Sequence, residues 1–155
     1  MIKDAVSSSR AAAQAEALLL ELPTAAATKR LGATLGKLAE AGDLIGLCGP
    51  LGAGKTCLVS GLGRGLSVRG AVTSPTFTLL HSYGENQVEK PVFHGDLYRI
   101  ENFHDFETLG MEDLFSKPGV VILEWAERFP LPSPWPEMRI RLEHLGGDSR
   151  RISVL

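Results

Sequence analysis

Leu44-Ile45-Gly46-Leu47-Cys48-Gly49-Pro50-Leu51-Gly52-Ala53-Gly54-Lys55-Thr56 is the stretch on which the reading of this chain turns. Leu44 to Cys48 is a short apolar run of the kind that forms a buried strand. Gly49-x-x-x-x-Gly54-Lys55-Thr56 matches the P-loop pattern in full. Beyond it, Leu58, Leu62 and Leu66 recur at helical intervals, although Gly61, Gly63 and Gly65 weaken a helix. Strand, glycine loop, helix is the order that a phosphate-binding unit requires. The glycines let the backbone curl so that successive N–H groups point at phosphate oxygens, and the helix N-terminus adds its positive end. In this pattern Lys55 reaches the β and γ phosphates and the Thr56 hydroxyl ligates Mg²⁺. Chance produces the four fixed positions in under about one in a hundred chains of this length. The bland alternative is a glycine-rich turn beside a surface lysine.

A P-loop site also needs an acidic group on a neighbouring strand to hold Mg²⁺ directly or through water. Glu124 fits, because Val120-Val121-Ile122-Leu123 before it reads as a buried strand. A carboxylate there lies at the C-terminal edge of the sheet, where open α/β sheets bind ligands. The competing reading is a strand-end glutamate facing solvent. Asp96 follows the strand Pro91-Val92-Phe93-His94 and is the second candidate, against an aspartate that merely starts a turn. Ser74, Thr76 and Thr78 follow the glycine-rich helix where γ-phosphate-sensing switch segments lie. Turn chemistry around Pro75 is the alternative. His81, His94, His104 and His144 have no metal-ligand spacing and read as structural or exposed. Trp125 and Trp135 read as packing or interface residues, and Cys57 as a helix packing residue at an oxidation-sensitive position. No Asn-Lys-x-Asp guanine motif follows the loop, and Asp43-Leu44-Ile45-Gly46 precedes it, so ATP is favoured by elimination. A small-metabolite kinase is the rival enzyme. It usually needs an arginine-bearing lid, and 101–117 holds five acids and no Arg or Lys before Lys117.

Composition sets the frame. The chain has 155 residues, 44% hydrophobic, with 16 Lys and Arg against 18 Asp and Glu for a formal charge of −2. That excludes a disordered polyelectrolyte and a general nucleic-acid coat. Two cysteines, Cys48 and Cys57, are too few for a disulfide framework, and no apolar run approaches the ~20 residues of a membrane span. A cytoplasmic protein without membrane attachment is expected. Residues 1–15 read as a frayed, disordered or weakly helical extension and 16–155 as one P-loop domain. The run 17–22 reads as a first strand stopped by Pro23. Thr24 caps a helix with Leu31, Leu35 and Leu38 on its inner face, ended by Gly42. A strand is expected at 77–80, a turn at 84–87, and a helix capped by Asn102 with Phe103, Phe106 and Leu109 inward, stopped by Gly110. Pro130, Pro132, Pro134 and Pro136 mark an extended connector. Alternation around Met138, Ile140 and Leu142, with a turn at 146–148, predicts a C-terminal antiparallel hairpin. The expected fold is α/β, a mixed sheet flanked by helices.

Taken together, Gly52-Ala53-Gly54-Lys55-Thr56, Ser74-Pro75-Thr76-Phe77-Thr78-Leu79, His94-Gly95-Asp96-Leu97-Tyr98-Arg99 and Leu123-Glu124-Trp125 resemble the TsaE family in order and spacing. These are bacterial P-loop ATPases of the tRNA threonylcarbamoyladenosine pathway, formerly called YjeE. The resemblance spans roughly 17–154, and its specific parts lie outside the P-loop. It implies an ATPase that works with TsaB and TsaD, does not itself transfer the threonylcarbamoyl group, and resets the complex between turnovers, meeting tRNA indirectly through that complex. By the same carry-over, Gly49, Gly52, Ala53, Gly54, Lys55, Thr56 and Cys57 form the nucleotide-binding set. Thr56 and Glu124 hold Mg²⁺, Asp96 serves hydrolysis, and Trp125 stands beside the site. Leu22 to Thr28 resembles the family's edge near the base. Three departures stand out: the N-terminal extension, Gly95 in place of a bulkier apolar residue, and Cys57 in place of Thr or Ser. No arginine finger is evident, so weak activity alone is expected, with Arg99 in cis or a partner's arginine completing the site. Whether Asp96 or Glu124 orients the water stays open. A nucleotide-gated assembly factor without relevant hydrolysis is the rival binding function.

Overall fold

The structure, a computed structural model, describes residues 18–73, 75, 79–84, 90–128 and 137–154. The extension at 1–15, Ser74, Thr76 and Thr78, Trp135, most of the turn at 84–87 and the connector at 130–136 lie outside the described residues. In chain order the elements are β1 (Leu18–Leu22), α1 (Ala25–Leu38), β2 (Leu44–Cys48), α2 (Lys55–Gly65), β3 (Leu80–Tyr83), β4 (Val92–Asp96), α3 (Phe103–Thr108), α4 (Met111–Ser116), β5 (Val120–Glu124), a 3-10 turn (Ala126–Arg128), β6 (Glu137–Gly146) and β7 (Ser149–Val154). Among the described residues seven strands form one mixed sheet in the order β1-β7-β6-β2-β5-β4-β3. The expected mixed sheet flanked by helices, with a C-terminal hairpin, is what the chain forms.

Strand β2 sits at the centre, parallel to β5 on one side and β6 on the other. All five of its residues are buried, as a strand covered on both faces requires. Period-two alternation divides the core. Ile45, Leu47, Val120 and Ile122 pack with Leu35, Leu58 and Leu62 from α1 and α2. Leu44, Val121 and Leu123 pack on the opposite face with Phe106 and Leu114 from α3 and α4. Strand β4 is parallel to β5, and their register sets Asp96 beside Glu124 at the C-terminal edge. Gly95, paired with Leu80 on one side and Leu123 on the other, lies in a strand held along both edges.

Several boundaries differ from expectation for local reasons. Thr24 caps α1 as expected, its hydroxyl accepting from Ala27 N–H at 3.1 Å. The helix ends at Leu38 rather than Gly42, and Gly42 instead turns the chain, its N–H donating to Gly119 O at 2.7 Å. Leu38 is exposed, because the buried face of α1 runs through Ala27, Thr28, Gly32, Leu35 and Gly36. The strand expected at 77–80 begins at Leu80. Leu79 takes a left-handed φ of 61°, with its carbonyl accepting from Asp96 N–H, and interrupts the extended run. Helix α4 was not expected. Gly110, at φ 67°, both ends α3 and starts α4.

The glycines of α2 that weaken a free helix are its contact surface. A Cβ on Gly61 would strike the Lys29 carbonyl and stand 3.0 Å from Gly32 Cα. One on Gly65 would strike the Ala33 carbonyl and approach Gly36 Cα. Gly32 and Gly36 on α1 thus face Gly61 and Gly65 on α2, backbone against backbone. In an isolated helix Gly→Ala stabilises by roughly 0.5–1 kcal/mol. Gly61→Ala is expected to reverse that sign and cost about 1–3 kcal/mol through overpacking. A lowered urea midpoint checks this, and a raised one contradicts the close crossing.

Candidate nucleotide site at the glycine loop

The loop between β2 and α2 is held by unusual backbone angles and by contacts from distant segments. Gly49 has φ 139°, and a Cβ there would strike the Leu142 carbonyl of β6. Gly54 has φ 99° and caps α2 in the left-handed region, where a side chain would also meet Arg150 Nε at 3.2 Å. Ala53 N–H closes the turn on Pro50 O at 3.1 Å. Two side chains that sequence reasoning did not assign brace the loop from outside. Glu127 Oε1 accepts from Gly49 N–H at 3.1 Å. Arg150 on β7 donates to Gly52 O at 3.3 Å and, at 2.9 Å each, to Gly147 O and Ser149 O. Neither had a local signal: only the folded hairpin brings Arg150 to a loop about a hundred residues earlier.

Lys55 is 6% exposed at the start of α2. Its ammonium donates to Gly49 O at 2.5 Å and Pro50 O at 3.0 Å, and it stands 3.9 Å from the centre of the Trp125 ring. Burial pushes its pKa down, while the carboxylates of Glu124, Glu127 and Asp96 act in the opposite sense. The expected lysine and both strand-end acids therefore share one electrostatic neighbourhood. Trp125 closes it with a left-handed φ of 59°, a strain of about 1–3 kcal/mol. The ring of Tyr98 lies 4.9 Å from it.

Asp96 and Glu124 are both buried, 4% and 3% exposed, on neighbouring strands. Asp96 Oδ1 accepts from Tyr98 N–H at 2.8 Å. Glu124 Oε1 accepts from His94 Nε2 at 2.8 Å, with His94 fully buried. Sequence reasoning left His94 as structural or exposed. The missed signal was its position two residues before Asp96 on one strand, hence on the same face. Thr56 is exposed on the first turn of α2. Cys57 is half-buried and directs its thiol at Ala25 O, 3.5 Å away. It ties α2 to the start of α1. Arg99 is exposed beyond β4. Among the described residues no three His, Cys, Asp or Glu gather as a metal cage. A hydroxyl and isolated carboxylates are instead the hard oxygen donors that suit Mg²⁺ completed by phosphates and water.

The family model described as "Threonylcarbamoyl adenosine biosynthesis protein TsaE" matches residues 22–152. The chain belongs to the TsaE family. A relative from Treponema pallidum, named tRNA threonylcarbamoyladenosine biosynthesis protein TsaE, is 39% identical over 127 residues, covering 82% of this chain and 92% of that protein. One of the same name from Nostoc sp. is 45% identical over 131 residues, covering 82% and 78%. Among solved structures, the crystal structure of YdiB from Bacillus subtilis aligns with a TM-score of 0.68 at 29% identity, over 90% of this chain and 84% of that one. The TsaE family takes part in tRNA threonylcarbamoyladenosine biosynthesis. The match contains every site residue named above, from Gly49 to Arg150.

The cysteine beneath the loop offers a pH test. Burial first, and Glu127 second, push the Cys48 thiol up to about 11 from 9.0. Its folded form keeps a proton that the unfolded chain releases in that window, so stability falls as pH climbs from about 9 towards 11. Urea midpoints across this range are expected to decline, and a thiol reagent should label Cys57 before Cys48. Equal labelling of the two in folded protein contradicts the burial of Cys48.

Proposed function

We propose that the chain is a Mg²⁺-dependent ATPase, slow alone, that serves tRNA threonylcarbamoyladenosine formation in the cytoplasm by resetting a complex of TsaB-like and TsaD-like partners. The observation that carries the reading is Lys55, buried at the floor of a glycine loop with Glu124 and Asp96 acting on its charge. Among the described residues no helix is long and apolar enough to cross a membrane.

Within the loop from Gly49 to Gly54, Glu127 and Pro50 O hold the Gly49 and Ala53 N–H groups, so the remaining loop N–H groups serve the phosphates, and α2 adds its positive end. Cys57 follows on the same turn. Lys55 exchanges its two carbonyl acceptors for β and γ phosphate oxygens. Thr56 and Glu124 hold Mg²⁺, which when bound neutralises charge on the phosphates. Asp96, fixed by the Tyr98 N–H, accepts a proton from the attacking water. Trp125 and Tyr98 cover the phosphate end. Ser74, Thr76 and Thr78 supply the γ-phosphate sensor, and Arg99 or a partner's arginine completes charge stabilisation. tRNA is met through the partners.

Lys55→Ala is expected to weaken ATP binding about 10- to 100-fold, the loss of a charge-assisted hydrogen bond or two. Asp96→Asn should keep nucleotide and lose about 10²–10⁴ in turnover. Equilibrium nucleotide binding and phosphate release separate the two, and full activity in Asp96→Asn contradicts its role. With TsaB-like and TsaD-like proteins and tRNA in one reaction, phosphate release should rise and accompany repeated rounds of modification. Label appearing on a small acceptor would instead indicate a kinase. A non-hydrolysable analogue supporting repeated modification would indicate an assembly factor.

A further inference from the structure

We propose that His94 is a positioning residue for the nucleotide–metal site, holding the Glu124 carboxylate away from Lys55 so that it remains available to a divalent cation. The inference rests on the nucleotide-site reading and deepens it.

Three observations carry it. First, His94 is fully buried, and its Nε2 lies 2.8 Å from Glu124 Oε1. An ionised carboxylate only accepts, so Nε2 carries the proton. Second, the other ring nitrogen, Nδ1, is buried without a partner among the described residues. An imidazole kept in a core for packing alone leaves two polar atoms to satisfy, and an apolar residue would fill the place at no such cost. Among the described residues the one hydrogen bond His94 makes through its side chain is to Glu124. Third, the Glu124 carboxylate is bonded to His94 and not to the Lys55 ammonium, although its charge acts on that lysine. A glutamate side chain has three rotatable bonds, and beside a buried cation it would fold onto it. The His94 bond opposes that collapse. Glu124 Oε1 is occupied by the imidazole, while Oε2 makes no hydrogen bond among the described residues. Carboxylates that ligate metals are themselves held in this way by neighbouring donors.

The register explains why His94 can do this. His94 pairs with Ile122 and Asp96 with Glu124, so His94 sits one diagonal step from Glu124 on the same face of β4 and β5.

The test compares His94→Leu, which removes the donor but fills the core, with His94→Gln, whose amide places an N–H near the former Nε2. The probe is Mn²⁺, counted by electron paramagnetic resonance in the presence of a non-hydrolysable ATP analogue. Binding of the same analogue in EDTA is measured alongside. His94→Leu is expected to lose about 10- to 100-fold in Mn²⁺ affinity while its EDTA nucleotide affinity stays within about twofold, and His94→Gln to recover most of the loss. Wild-type Mn²⁺ affinity in His94→Leu overturns the proposal. So does equal loss of metal and metal-free nucleotide binding in both variants, which marks a merely structural histidine. Should His94→Leu fail to fold, the imidazole ¹H–¹⁵N spectrum of wild-type protein reads the same bond. A retained Nε2–H form with metal and analogue bound supports the proposal, and its loss overturns it. Wild-type protein that binds no analogue in either condition removes the nucleotide-site reading and this inference with it. Wild-type binding with an unaffected His94→Leu removes this inference alone.

Discussion

A buried ammonium organises this molecule. Lys55 is withdrawn from water at the foot of the glycine loop, and a bare cation there would be expensive. Two loop carbonyls and the face of Trp125 satisfy it, and three carboxylates on or after neighbouring strands stabilise its charge. The same requirement explains why acids end β4 and β5 at one edge of the sheet, and why Trp125 tolerates a left-handed backbone. Neutral carbonyl oxygens and a ring face hold an ammonium more weakly than charged phosphate oxygens would.

Holding that lysine in place is a task for the whole fold. Helices α1 and α2 cross closely only because paired glycines let their backbones meet. The loop is anchored from three directions: Leu142 of β6 crowds Gly49, Glu127 accepts from the Gly49 N–H, and Arg150 of β7 grips Gly52. The C-terminal hairpin is thereby part of the loop's support.

Much of this is legible in the residues themselves. Strand β2 is buried on both faces, so its apolar run and the glycine loop after it are unmistakable, and Val120 to Glu124 repeats the pattern. Thr24 and Asn102 act as helix caps because their side chains have a local partner, Ala27 N–H and Asp105 N–H. What escapes sequence reading depends on distant segments. Gly61 and Gly65 look like helix breakers until Gly32 and Gly36 are set against them. Leu79 belongs to an apolar run, yet its backbone turns left-handed to meet Asp96 N–H. Arg150 and Glu127 reach the loop only through tertiary contacts, whereas His94 was recoverable from strand alternation alone.

The central claim is that Lys55 and the two strand-end acids form one site for a magnesium nucleotide. A crystal structure with Mg²⁺ and a non-hydrolysable ATP analogue tests it most directly. The account predicts that Lys55 leaves Gly49 O, Pro50 O and Trp125 for phosphate oxygens, with the metal between Thr56 and Glu124 and the His94 bond intact. An analogue seated elsewhere, or Lys55 still on its loop carbonyls beneath a bound nucleotide, contradicts it.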